Sequence, residues 1–469
     1  MSDTSPVAPA AATLASWGTA LRPEDVPAPV RHAAKRQLLD GVGLALAARR
    51  YNSAAPSVDV AGALGGPPEA TPLGGDVRIS APAAAMADGA LVHALDFDDT
   101  HGAGLVHATA VVLPAAFAVG EQVGASGLDV LVASVFGYEV VCRIAAASAH
   151  GFHARGLHAT QVAGVFSSAA VAARLLGLDA DVATNALGIA GSSAGGLLEF
   201  LTTGASTKQL HPGAASFSGV LAARLAAAGA TGPSTVLEGP KGIYASLSAR
   251  PADVASVTSG LGERWETTRI GIKPYPSCQL MHATLDAVRT VLDRIPAARD
   301  VVDIVAAVHP DSAPTVCEPA DVKVAPRTSY DAKFSLPWSV AALLIDRAVT
   351  VGTYDLASVQ RPDVAELSAR VRSVVTELGG AGVQAADAPG EVEIRLRDGT
   401  VLVGEVSASA GTSANPLADD ALLAKFLGNT GDTTAARELA ARVMALDEQP
   451  DLSAIIDCAR RAASTGESA

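Results

Sequence analysis

Val162-Ala163-Gly164-Val165-Phe166-Ser167-Ser168-Ala169-Ala170-Val171-Ala172-Ala173-Arg174-Leu175-Leu176 decides how this chain folds. The stretch is small and apolar, with the spacing of a helix that neighbouring helices approach closely. Working outward, residues 27–49 repeat the pattern through Val30, Ala34, Leu38, Val42 and Leu46, with Pro27 and Pro29 at the start. It returns at residues 83–95, 110–123, 127–149, 179–190 and 214–228. Glycine-containing breaks at 124–127 and 229–233 separate several of these segments. The chain up to about residue 261 therefore reads as all-helical.

After Trp265 the pattern changes. Residues 301–309 are β-branched and short, and residues 391–406 alternate around Asp398-Gly399, a strong hairpin signal. Between them, 339–346 and 362–371 read as helices. Helical periodicity resumes after Ala410, at 419–426, 433–446 and 452–463. The expected fold is mainly α: a large all-helical domain built from residues 1–267 and 410–469, with a smaller α+β lid domain, 268–409, inserted between them. Residues 1–12 and 464–469 read as mobile tails.

Composition narrows the function classes. Of 469 residues, 49% are apolar, 17% charged and only 4% aromatic, which describes a large, well-buried interior of small side chains. A net charge of −14 argues against nucleic acid or an anionic membrane as partner. No uninterrupted apolar run is long enough to span a bilayer. Cys142, Cys278, Cys317 and Cys458 lie far apart without metal-type spacing, the pattern of a reduced cytoplasmic protein.

Against that background, residues 96–101, Asp96-Phe97-Asp98-Asp99-Thr100-His101, concentrate three carboxylates, a hydroxyl and an imidazole. Carboxylates near a core need partners or take up protons, so such a cluster marks a candidate site. Seven of the ten histidines, His93, His101, His107, His150, His153, His158 and His211, fall between residues 93 and 211. Taken singly, most are expected at helix ends or on the surface; their concentration beside the carboxylates favours His107 and His158. Lys208 and His211 precede the helix expected at 214–228, where free backbone N–H groups suit an anionic ligand, although a solvent-facing lysine is the plainer reading. Lys273, Tyr275 and Cys278 occupy a proline-stiffened loop where the fold class changes, and domain junctions commonly hold pockets. Asp96-Phe97-Asp98-Asp99 also fits the Asp-x-Asp-Asp pattern of some terpene cyclases, but carbocation chemistry wants an aromatic-lined cavity. Hard-metal binding by the Asp/His cluster is conceivable, and nothing in the spacing demands it.

With these stretches in hand, the chain resembles the MmgE/PrpD family, which includes 2-methylcitrate dehydratase, cis-aconitate decarboxylase and iminodisuccinate epimerase. The matching stretches are residues 93–101, 107–121, 156–178, 186–196, 207–233, 273–287 and 331–344, in family order. The resemblance implies a homodimer with a cleft active site that uses neither metal nor organic cofactor. It also implies a small polycarboxylate substrate. Carried over by position, the site residues are Asp96, Thr100, His107, His158, Lys208 and Lys273; Asp96, His107, His158 and Lys208 are expected to be catalytic, and Thr100 and Lys273, joined by Tyr275, Cys278 and His211 from the reading of the residues, to bind substrate. In this expectation Asp96 and Thr100 orient His107, the general acid or base, while Asp98, Asp99 and His101 are structural. The leading expectation is a hydro-lyase like 2-methylcitrate dehydratase; a decarboxylase, an epimerase and a non-catalytic carboxylate binder are the alternatives. Cys278 stands where a functionally important His of cis-aconitate decarboxylase looks equivalent, which weighs against itaconate formation.

Overall fold

Alanine and leucine lose little conformational freedom in a helix, and small side chains let helix axes approach. The computed structural model, which describes residues 8–380 and 382–464, shows both effects. Gly89, on the helix Ala81–His93, lies so close to the helix His211–Ala227 that a Cβ there would sit 2.7 Å from the backbone nitrogen of Gly213. Capping fixes the ends. Asp179 accepts the Val182 N–H to start Ala180–Ala190, and Ser126 accepts that of Asp129 to start Gly127–Ala146. The opening stretch becomes Ala159–Leu175, packed against Thr109–Val123, Gly127–Ala146, Ala180–Ala190 and His211–Ala227.

One hydrophobic core joins residues from Ala10 to Ile272 with residues from Leu422 to Ala462. Asp419–Thr430 lies along Ala28–Arg50, so the end of the chain returns to its beginning. A second core runs from Tyr275 to Leu402 and takes in Phe200. Its four-stranded sheet has the order Val371–Val375, Val301–Val308, Gly390–Leu396, Val401–Val406, with only the first pair parallel. The helix His282–Val291 packs on the last two strands and against Leu336–Asp346.

Three expectations need correction. The helix expected at 362–371 stops at Ser368, and Val371 opens a strand instead; Val371, Val374 and Val375 are β-branched and pair in register with Ile304–Val308. The tail expected at 1–12 is shorter, because Ala10–Ala20 is a helix buried through Ala11, Leu14 and Ala15. Residues 1–7 lie outside the described residues. At the other end Ser464 closes the last helix, and 465–469 are likewise outside. For the site, the smallest sheet matters most: Thr100–His101 pairs antiparallel with Ile270–Gly271, which brings the acidic stretch beside the loop carrying Lys273.

Candidate active site

Ala81–His93 ends just before the acidic stretch, and Asp96 adopts φ +52°, a left-handed conformation that non-glycine residues hold only under tertiary constraint. The constraint is ionic. Asp96 Oδ1 accepts from Lys208 Nζ at 2.9 Å and Lys273 Nζ at 2.8 Å, and its carbonyl accepts from Lys273 at 3.0 Å. Lys208 comes from the turn Ser206–Leu210 that feeds His211–Ala227, and Lys273 from the loop after Ile270–Gly271. Burial alone would raise the Asp96 carboxyl, but the two ammonium groups hold it well below the usual range. Burial likewise opposes charge on Lys273, and the Asp96 carboxylate overrides it, raising that pKa. The site thus contains a carboxylate bridging two buried ammonium groups.

His107 faces this triad. Its Nδ1–H donates to the Asp99 carbonyl at 2.8 Å, leaving Nε2 unprotonated, with Lys208 Nζ 3.5 Å away as a long donor to it. Thr100 Oγ1 lies 3.5 Å from Nδ1, and the backbone N–H of His107 donates to Thr160 Oγ1 at 3.1 Å. Burial, reinforced by the two lysines against the attraction of Asp98, keeps the imidazole pKa well below its ordinary value. The ring is therefore neutral at pH 7, and its Nε2 lone pair faces the Lys208 ammonium. His158, at the start of Ala159–Leu175, is also neutral for the same first reason, burial, aided by Lys208. Its Nδ1 meets His211 Nδ1 at 3.1 Å, and its Nε2 has no hydrogen-bond partner among the described residues; neither has Asp96 Oδ2. Such orphaned polar atoms beside a cavity are where a ligand group would bind.

The cavity itself measures about 430 Å³. Asp96, Thr100, His107, His158, Lys208, Lys273 and Cys278 line it together, although they lie up to 182 residues apart (96 to 278). Leu198, Phe200, Leu201, Leu280 and Phe334 supply an apolar wall, and Phe334 lies under the Lys208 ammonium at 5.1 Å. At the rim Arg250 pairs with Asp311 at 3.5 Å.

Several expected roles change. Asp96 does not orient the imidazole, since its one bonded oxygen is taken by the lysines; the Asp99 carbonyl orients His107 instead. Tyr275 is not among the cavity-lining residues, and its hydroxyl donates to Asp286 at 2.6 Å. His211 is also absent from the lining and stands behind His158, within the first turn of a helix that starts three residues earlier than expected. Asp98 binds His93 Nδ1 at 2.7 Å, Asp99 accepts from the Thr109 amide and hydroxyl, and His101 meets Glu266 at 3.1 Å, the structural roles expected of them. Sequence reasoning named His150 and His153 without choosing them for the site, and passed over Arg250, Asp311 and Phe334. Phe334 was legible within the quoted stretch 331–344, whereas Arg250 has no local signal.

The ligand atoms of His93, Asp96, Asp98 and His107 lie within 4.8 Å of one another. Lys208 and Lys273 already answer the Asp96 charge, so a divalent cation there would meet two ammonium groups at contact range. The same array suits an anion: the lysines supply positive charge, and His107 supplies a lone pair.

Residues 12–254 match the MmgE/PrpD N-terminal domain, and residues 275–448 the MmgE/PrpD C-terminal domain. The chain is 27% identical over 462 residues to a cis-aconitate decarboxylase of Aspergillus terreus, covering 94% of each protein. It is 29% identical to the Homo sapiens cis-aconitate decarboxylase over 372 residues, 76% of this chain and 73% of that one. The Mus musculus enzyme gives 30% over 369 residues, 76% and 72%. Matched along most of its length by both domain models in order, the chain belongs to the MmgE/PrpD family and is an enzyme of the lyase class.

Proposed function

We propose that the protein is a hydro-lyase of the 2-methylcitrate dehydratase kind, acting on a small di- or tricarboxylate. The observation that carries this reading is the neutral His107, its unprotonated Nε2 beside the Lys208 ammonium on the wall of the cavity. Dehydration starts with a base. His107 Nε2 takes a proton from the carbon next to a substrate carboxylate, and the C–H electron pair moves into that carboxylate as an enediolate. Lys208 and Lys273 stabilise the added charge. The pair then returns to form the C=C bond and expels the neighbouring hydroxyl, which leaves as water with the proton held by His107. The base is neutral again at the end. Thr100 and His158 Nε2 supply hydrogen bonds to the remaining carboxylates, and residues 268–409 act as the lid. Lysine ammonium groups do the electrostatic work, so no cofactor is required in this reading.

Decarboxylation of a cis-aconitate-like acid is the second reading, supported by the curated relatives that match this chain along its length. There the same lysines stabilise the carbanion left by CO₂, and a proton taken up from solvent water during turnover reaches the carbon through His107. NMR of the purified enzyme with 2-methylcitrate and, separately, with cis-aconitate decides between them, chelator being present throughout. The dehydratase reading expects an olefinic product and water from the first acid. CO₂ and a new methylene from the second would replace it with the decarboxylase, and tight binding without turnover of either would make the protein a carboxylate binder. A homodimer in the cytoplasm belongs to the same reading and is checked by sedimentation and fractionation.

A further inference from the structure

The stretch Asp331-Ala332-Lys333-Phe334 is given no chemical step above, yet it touches three of the segments that carry the site. Lys333 is 6% exposed, and its ammonium makes no ion pair among the described residues. It donates instead to two backbone carbonyls, Leu95 and, at 3.3 Å, Pro276, and lies over the Tyr354 ring at 5.4 Å. Leu95 immediately precedes Asp96. Pro276 sits in the loop between Lys273 and Cys278, and the Cys278 N–H donates to the Lys333 carbonyl at 2.9 Å. The next residue, Phe334, holds Lys208 against its ring. One dipeptide of the α+β portion therefore contacts the three chain segments that carry Asp96, Lys208 and Lys273.

We propose that Lys333 is a positioning residue, whose ammonium ties the Asp96 turn to the Lys273–Cys278 loop and so fixes the carboxylate-and-two-lysine array on which substrate binds. The inference rests on reading that array as the substrate site. A buried ammonium without a counter-charge is costly, and a well-packed apolar side chain would fill the same space more cheaply. What an apolar chain cannot do is draw two carbonyls of separate loops to one point by charge-assisted hydrogen bonds.

Burial pushes the Lys333 pKa down to about 8. Asp96 and Asp355 pull it up, and Lys208 and Lys273 push it down further. The Tyr354 and Tyr330 hydroxyls near it stay neutral, burial raising Tyr354 to about 12 and Tyr330 well above its ordinary value. Lys333 also lines a separate cavity of about 660 Å³ that shares no lining residue with the first, so it exchanges protons without crossing the substrate site. Below pH 8 the group is charged and the tie is strong. Above it the charge is lost and the tie weakens, so turnover falls as pH rises.

The test compares wild type, Lys333→Met and Lys333→Arg on 2-methylcitrate and cis-aconitate from about pH 6 to 9, with thermal unfolding recorded in the same buffers. Wild type is expected to lose kcat above about pH 8 without unfolding. Lys333→Met lowers kcat on the order of 10–100-fold and abolishes that alkaline limb, as displacement of a reacting array predicts. Lys333→Arg restores part of the rate and moves the limb to higher pH, because guanidinium stays charged. Wild-type kcat and pH profile in Lys333→Met would overturn the proposal; should that variant not fold, an unmoved limb in Lys333→Arg overturns it. If wild type turns over neither acid, the functional reading has failed by itself. A crystal structure of Lys333→Met then decides the positioning role: a shifted Asp96 turn supports it, and an unmoved Asp96–Lys273 pair ends it.

Discussion

At the scale of residues, the site depends on which group is charged. Asp96 and Lys273 are ionised in the fold, Lys208 completes the ion-paired array, and His107 is held neutral beside them. Replacing His107 with Ala removes the imidazole lone pair beside Lys208 and is expected to lower kcat/KM by about 10²–10⁴-fold with the fold intact. Lys208→Ala is expected to cost a similar factor, about 10²–10³-fold, by removing transition-state charge stabilisation. Steady-state kinetics with circular dichroism checks both, and near wild-type kcat/KM in either variant would refute the assigned role. Cys278→Ser is expected to be milder, since burial raises the thiol pKa and keeps it protonated. Most of these residues were legible because ionisable groups are conspicuous in an apolar chain. Their pairing was not: nothing local says that Asp96 takes up lysines 112 and 177 residues away rather than the imidazole 11 residues on.

At the scale of elements, two contacts set where those residues stand. Ala81–His93 leads into Asp96, and His211–Ala227 follows Lys208; the two helices pass closely at Gly89 and Gly213. Gly89→Ala places a methyl group within 2.8 Å of Gly213 Cα and must push the helices apart. We expect a loss of about 1–3 kcal/mol in denaturant unfolding, as for overpacked cores, accompanied by a lower kcat. An unchanged midpoint and rate would show that the helices separate freely. On the opposite side, Lys425 from Asp419–Thr430 pairs with buried Asp40 at 2.8 Å and donates to the Phe97 carbonyl at 2.8 Å, bracing the acidic turn from behind. Lys425→Met should cost about 3–5 kcal/mol, because Asp40 would be left buried and unpaired. The helices themselves were readable from periodicity. The strand Val371–Val375 was misread because a short edge segment after a helix has too few residues to declare its period.

For the whole molecule, buried titratable groups shape stability against pH. Burial lowers His153 and His282 to about 3 and His211 to about 4, with His107 and His158 well below their ordinary value. The unfolded chain protonates these rings near pH 6.5, so it binds more protons than the fold between about pH 4 and 6.5. Stability therefore rises with pH across that window. Burial acts oppositely on Asp99 and Asp88, raised to about 8 and about 7: the fold keeps protons that the unfolded chain has released, and stability falls with pH from about 4 to 8. Five rings outweigh two carboxyls below 6.5; from 6.5 to about 8 the carboxyls dominate, Lys333 acting in the opposite sense only as pH passes about 8. Tm by scanning calorimetry should thus peak near pH 6.5 and drop more steeply on the acid side. A Tm that is flat or rising from pH 6.5 to 4 would contradict the buried, neutral histidines.

The sequence by itself determined the mainly helical class and the family, and it singled out Asp96, His107, His158, Lys208, Lys273 and Cys278 among the ionisable residues that line the cavity, because these follow from short-range periodicity, turn chemistry and unusual residue density. Tertiary structure alone decided which groups meet. The pairing of Thr100–His101 with Ile270–Gly271 joins segments 170 residues apart (100 to 270) and carries Lys273 to Asp96. It also turned Tyr275 toward Asp286 and brought Lys333 to the Leu95 and Pro276 carbonyls. Such contacts depend on distances between elements, set by close packing of small side chains across the core, and no local window of the chain contains them.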